Sequence, residues 1–233
     1  MQLDVRATAA VLKVPESTVY RWINERQLPA KGVEGQFRVE RTELLEWATT
    51  HKIDLSPGIF SLEESQLEHF LLADALEVGG IFYDVPGTNK DEVFHSVIDN
   101  IPLPDGCPGD LLLELFLARE ASGSTAVGNG VAIPHPRHPV VLPVAKPRLS
   151  LCFLAQPIEF GAANGEPVRT LFVLLSPTVK THLQMLARIA VLLRDERFGQ
   201  MLAARKSRRE IIGDVRRVEK TFDQSTAARN GER

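Results

Sequence analysis

Cysteine is scarce in this chain. The two present, Cys107 and Cys152, stand 45 positions apart and form no C-x-x-C pair, which excludes the zinc-ribbon and thioredoxin-like patterns. Cys152 lies inside an apolar run and reads as a small core residue. Long apolar runs are lacking as well. No stretch approaches the ~18 unbroken apolar residues of a membrane span, and Met1 to Val11 has no apolar segment of signal-peptide length, so the expected location is the cytoplasm. An excess of one charge sign is also missing. Against 27 Lys and Arg stand 30 Asp and Glu, a net charge of −3. That balance excludes a chain-wide attraction to nucleic acid or membrane while leaving room for a local basic surface. The histidines have no cysteine or acidic partners at ligand spacing, so no metal and no cofactor is expected.

What is present is ordinary globular material. With 233 residues, 44% of them hydrophobic, one or two domains with a sizeable core can form. The segment Val5–Val14 reads as a short helix, broken at Val14-Pro15-Glu16. A second helix is expected from Ser17 to Arg26, with Val19, Trp22 and Ile23 at core spacing. Ser17, Thr18, Arg21 and Asn24 fall on its opposite face and are residue types that contact phosphates and bases. Leu28–Lys31 and Gln36–Val39 read as two short strands around Gly32–Gly35, a small wing that carries Arg38, and Arg41–Ala48 reads as a third helix. Two helices across a tight turn followed by a wing make a helix-turn-helix candidate. This order, with Ser-Thr-Val-Tyr-Arg-Trp-Ile at 17–23, resembles the excisionase/MerR-type winged helix-turn-helix. Residues 1–52 hold eight Lys/Arg against seven Asp/Glu, a net of +1. Because DNA affinity rests largely on phosphate neutralisation, one copy should bind weakly, and a homodimer on a repeated half-site is the natural remedy. Ser17, Thr18, Arg21 and Arg38 are the expected DNA contacts.

Ser56-Pro57-Gly58 breaks the chain. The reading is a DNA-binding domain over 1–54, a linker over 55–64, a second domain over 65–220 and a disordered polar tail over 221–233. The pattern over Leu62–Leu76 is helical. Beyond it, strands at Gly80–Val85, Val131–Ile133, Arg148–Leu154 and Arg169–Leu175 alternate with helices. Thr88, Asp110 and Thr178 are the expected helix caps. Interleaved strands and helices imply an α/β domain layered around a mixed sheet, and the wholly apolar Leu171–Leu175 suits a central strand covered on both faces.

Three basic groups from three elements carry the chemistry: Arg119 at a helix end, His135 after a strand and His182 near a helix start. Histidine is a ready nucleophile at neutral pH, and phosphoryl transfer needs an aligned nucleophile with positive groups around the transferred oxygens. Arg119 can clamp a phosphate in a bidentate manner, and His182 adds a donor beside a positive helix end. The hydroxyls of Ser124 and Thr125, and the backbone around Gly128, Asn129 and Gly130, are further candidates for phosphate contact. Taken alone, Asn129-Gly130 is a turn signal and His182 a core histidine.

In combination these residues carry a resemblance. Leu117-Ala118-Arg119-Glu120, then Gly-Ser-Thr-Ala-Val-Gly-Asn-Gly-Val-Ala-Ile-Pro-His at 123–135, then His182–Ala187 resemble the type-2 enzyme IIA domain of the bacterial phosphotransferase system, the mannitol/fructose and nitrogen-regulatory class. The resemblance implies that His135 accepts phosphate from the histidine-containing phosphocarrier protein and that Arg119 and His182 stabilise the transferred group. Pro136 departs from the pattern, since the family usually has Gly or Ala after the active histidine, and proline removes a backbone N–H there. The expected function is a regulator whose DNA binding or partner binding is set by phosphorylation of His135. The alternatives are a phosphoryl relay to a IIB domain and sugar permease, and a partner-binding module that is not phosphorylated.

Overall fold

The structure is a computed structural model that describes residues 2–25, 28–33, 36–40, 43–44, 47–48, 51, 53, 70–136 and 144–230. The chain divides into two compact units, residues 1–69 and 70–233.

Among its described residues the first unit shows a helix pair, a three-stranded sheet and further helical residues at 43–44 and 47–48. β1 (Gln2–Asp4), α1 (Val5–Leu12), α2 (Glu16–Asn24), β2 (Lys31–Val33) and β3 (Gln36–Glu40) follow in order, and the antiparallel sheet runs β1-β3-β2. Asp4 ends β1 and caps α1, its carboxylate accepting from Ala7 N–H at 2.7 Å. Lys13, at φ 55°, turns the chain out of α1, and Pro15 sits at the cap of α2. Val5, Ala9 and Leu12 pack in the interior with Val19, Ile23, Leu28 and Val39. Trp22 lies 5.0 Å from Trp47, ring centre to ring centre. Glu43, Leu44, Trp47 and Ala48 are helical, and the last three are buried. The rest of the expected third helix, and the linker, lie outside the described residues.

Two strands differ from expectation. β1 is too short to show a period, and it forms because Leu3 pairs with Val39 and both enter the core. β2 begins at Lys31 rather than Leu28, because Pro29 has no N–H to give a ladder and Leu28 is needed inside.

The second unit contains α3 (Leu72–Gly79), β4 (Ile81–Val85), α4 (Lys90–Asn100), α5 (Gly109–Ala121), β5 (Ala126–Gly128), β6 (Val131–Ala132), β7 (Arg148–Ile158), β8 (Val168–Leu175), α6 (Val179–Leu192), α7 (Glu196–Ala203) and α8 (Arg208–Asn230). Its mixed sheet runs β4-β7-β8-β6-β5. β4 is parallel to β7 and β6 to β8, while β7/β8 and β5/β6 are antiparallel.

Alternation along β7 and β8 sorts side chains to two cores. Leu149, Leu151, Phe153, Phe172 and Leu174 face one layer built from α3, α6, α7 and α8. Cys152, Leu154, Leu171, Val173 and Leu175 face the other, built with α4 and α5. Both faces are therefore apolar, which is why these strands read as continuous hydrophobic runs. Burial pushes the Cys152 thiol up to about 12, so it behaves as a core methyl rather than a nucleophile.

Two helix caps and one terminus are corrected. Asn89, not Thr88, caps α4, accepting from Glu92 N–H at 3.0 Å, while the Thr88 N–H and hydroxyl donate to the Glu92 carboxylate. Asp110 lies in the first turn of α5 and Pro108 occupies the cap. Residues 221–230, expected to be disordered, continue α8 to Asn230. That segment has no Gly or Pro before Gly231, and its first turn is anchored, with Arg188 3.1 Å from Asp223 and over the Phe222 ring.

Candidate functional site

The two histidines come from the ends of neighbouring parallel strands. β6 runs on through Ile133 and Pro134, and Leu174 N–H of β8 donates to Pro134 O at 3.0 Å. His135 follows at once. β8 ends at Leu175, Ser176 follows, and Thr178 caps α6 by accepting from Thr181 N–H at 3.1 Å. His182 is then one turn into α6, its N–H on Thr178 O at 3.0 Å. The imidazole centres of His135 and His182 are 5.0 Å apart, with planes inclined by 55°. Both rings are enclosed, His135 at 2% exposure and His182 at 1%.

The hydrogen bonds fix what each ring can do. His135 Nδ1 lies 2.6 Å from Ile133 O. A carbonyl only accepts, so Nδ1 is the donor, and in the neutral ring that tautomer puts the lone pair on Nε2. His182 Nδ1 meets the buried Ser176 hydroxyl at 3.3 Å.

Arg119 occupies the last turn of α5, and its Nη1 donates to Gly123 O at 2.9 Å. Beside it the buried Glu120 carboxylate organises the following loop. Thr125 N–H donates to its two oxygens at 3.2 and 3.1 Å, the Thr125 hydroxyl donates at 2.8 Å, and Lys90 Nζ stands 3.3 Å away. Thr125 O in turn accepts from Ile133 N–H at 3.0 Å. The loop that carries Arg119's carbonyl partner is thereby tied two residues from His135. The Ser124 hydroxyl donates to Phe160 O at 2.7 Å. The single protons of the Ser124 and Thr125 hydroxyls are thus engaged within the scaffold.

Gly128, Asn129 and Gly130 lie at the β5–β6 hairpin, and His135 follows the other end of β6. Their φ angles of 85°, 55° and 69° close the β5–β6 hairpin. Gly130 O accepts from Arg169 and Thr170 N–H, so it pairs with the start of β8, whereas Pro134 pairs with its end. At ~3.3 Å per residue the two points lie about 13 Å apart. The Gly-rich run before the histidine forms this hairpin turn.

Sequence reasoning quoted Glu120 within the motif Leu117–Glu120 without giving it a role, and passed over Lys90 and Ser176. For Glu120 a signal existed: an acidic residue in the last turn of a helix opposes the helix dipole and asks for a partner.

In the first unit, Ser17 and Arg21 are exposed on α2, Thr18 is half-buried, and Arg38 on β3 lies 4.0 Å from Asp4. Tyr20, 44% exposed, meets Phe37 edge to face at 6.2 Å and joins helix to wing, a pair not foreseen from the sequence. Among the described residues no group of three or more His, Cys, Asp or Glu could hold a metal, and no helix is long and apolar enough to cross a membrane.

A mixed five-stranded sheet between two helix layers, with paired histidines where a strand ends and a helix begins, defines a histidine-centred α/β domain. It is joined to a helix-turn-helix unit. Residues 75–214 match the family described as phosphoenolpyruvate-dependent sugar phosphotransferase system, EIIA 2, and the chain belongs to it; residues 3–52 match a helix-turn-helix domain family. The nitrogen regulatory protein of Pseudomonas aeruginosa is 36% identical over 126 residues, covering 52% of this chain and 79% of the relative. The nitrogen regulatory protein of Escherichia coli is 37% identical over 122 residues, covering 51% and 72%. The crystal structure of nitrogen regulatory protein IIA-Ntr from Neisseria meningitidis aligns with a TM-score of 0.52 at 28% identity, covering 58% of this chain and 92% of that one. The second unit is a IIA-Ntr-like regulatory domain.

Proposed function

We propose that this chain is a phosphotransferase-linked regulator in which His135 takes a phosphoryl group from the histidine-containing phosphocarrier protein and the phosphorylated state alters DNA binding by the helix-turn-helix unit. The observation that carries the reading is the Nδ1–H bond to Ile133 O, which leaves Nε2 as the nucleophilic nitrogen. As Nε2–P forms, the donor's N–P bond breaks and the donor imidazole leaves with the electron pair; His135 Nδ1 keeps its proton. Arg119 and His182 supply positive or donor groups to the transferred oxygens. The phosphate adds about −1.5 to −2 charges. In the first unit, Ser17, Thr18 and Arg21 of α2 enter a groove and Arg38 of the wing meets the backbone, in a dimer on repeated half-sites.

Two observations favour a second reading, a partner-binding module that is never phosphorylated. His135 is 2% exposed, and the residue after it, Pro136, is buried and has no N–H. Transfer therefore requires the encounter with the donor to uncover Nε2. The deciding experiment is labelling of the full chain from phosphoenolpyruvate through the general phosphotransferase proteins. Wild type should label and His135→Ala should not, and the labelled and unlabelled proteins should differ in DNA affinity. Absence of label under conditions that charge a control IIA domain supports the second reading. Equal DNA affinity of the two forms removes the switching half.

A further inference from the structure

We infer that Glu120 is a positioning residue for transfer at His135, an inference that rests on the proposed phosphorylation of that ring. A continuous chain of contacts connects the two. Lys90 Nζ meets Glu120 at 3.3 Å; Glu120 accepts from the Thr125 N–H and hydroxyl; Thr125 O accepts from Ile133 N–H; and Ile133 O accepts from His135 Nδ1–H.

Glu120 stands in the least favourable place for a carboxylate, buried and in the last turn of α5, where the helix dipole is negative. Lys90, which also lies over the Phe160 ring at 5.1 Å, and the two Thr125 donors offset that cost. The arrangement fixes the backbone of Thr125, and Thr125 fixes Ile133, whose carbonyl selects the tautomer of His135. Glu120 touches neither the reacting nitrogen nor the phosphate, so its effect passes through ring orientation.

The substitution Glu120→Gln keeps the shape and replaces one acceptor oxygen with an NH2 group, which sets donor against donor at Thr125. Thr125→Val removes only the hydroxyl, and Thr125→Ser restores it. The measurements on the full chain are the ring tautomer of His135 by nitrogen-15 NMR and the single-turnover rate from the phosphorylated carrier. We expect wild type to show one tautomer with a protected Nδ1–H. Glu120→Gln should show mixed tautomers and a rate about 10–100-fold lower with little change in the carrier concentration for half-maximal rate. Thr125→Val should move the same way by less, and Thr125→Ser should recover. A folded Glu120→Gln with a single Nδ1–H tautomer, or with the wild-type rate, overturns the inference. If Glu120→Gln does not fold, the Thr125→Val and Thr125→Ser pair decides by the same criteria. If wild type takes no phosphate, the proposed function fails, while the tautomer comparison still decides whether Glu120 positions the ring.

Discussion

The loop 122–125 and the turn 128–130 flank the same three-residue strand, yet they do different work. The loop is polar and tied down by side chains: Arg119 reaches Gly123 O, Glu120 takes Thr125, and Ser124 takes Phe160 O. The turn is shaped by positive φ angles, and Gly130 O accepts from the Arg169 and Thr170 N–H groups. Only the loop is opposite Ile133, two residues from His135. The difference teaches that glycine content alone does not set a segment's role: the buried Glu120 carboxylate gathers the loop, while positive φ angles shape the turn.

Substitutions can break that comparison. The largest effect on transfer is expected on the loop side. On its proposed role, Arg119→Ala would remove a cation from the transferred oxygens; it also releases Gly123 O, and the single-turnover transfer rate should fall about 100–1000-fold with the melting temperature nearly unchanged. On the turn side the result should invert. A Cβ at Gly130 would stand 2.7 Å from Arg169 Nε at φ +69°, so Gly130→Val should cost ~1–3 kcal/mol in denaturant unfolding while the transfer rate stays within about twofold. If Gly130→Val slows transfer as Arg119→Ala does without lowering stability, the division between loop and turn is wrong.

The smallest effect serves as a control away from both segments. Asp195 caps α7, and its hydrogen bond to Arg217 at 2.7 Å holds its carboxyl below the usual carboxylate range. A depressed carboxyl contributes stability above its unfolded pKa and loses it as pH falls through the folded value. Asp195→Asn should therefore lower stability at neutral pH, with the gap to wild type closing in acid, and leave transfer unaltered; urea unfolding followed across pH checks it.

Much of this fold was legible in the sequence because its signals are local. Thr178 caps its helix, and of the expected stripe His182, Leu186, Ile189 and Leu193 the first three are inward, while Leu193 is half-buried at the cap beyond Leu192. The apolar strands Arg148–Leu154 and Arg169–Leu175 fall within β7 and β8. What was not legible depends on partners distant in sequence. Glu120 is matched with Lys90, 30 positions earlier, and with Thr125, whose backbone position is set by Ile133. β1 exists only because β3 folds back on it. The turn 128–130 is ambiguous in sequence for another reason: glycine serves phosphate loops and hairpins through the same freedom at positive φ, and composition alone does not separate the two uses.

The central claim is that this loop presents Nε2 of His135 as the phosphoryl acceptor. The most direct measurement is nitrogen-15 NMR of the chain after treatment with phosphoenolpyruvate and the general phosphotransferase proteins. The account predicts phosphorus bonded to His135 Nε2, with Nδ1 still protonated. Phosphorus on Nδ1, or on another residue while His135 stays unmodified, would contradict it.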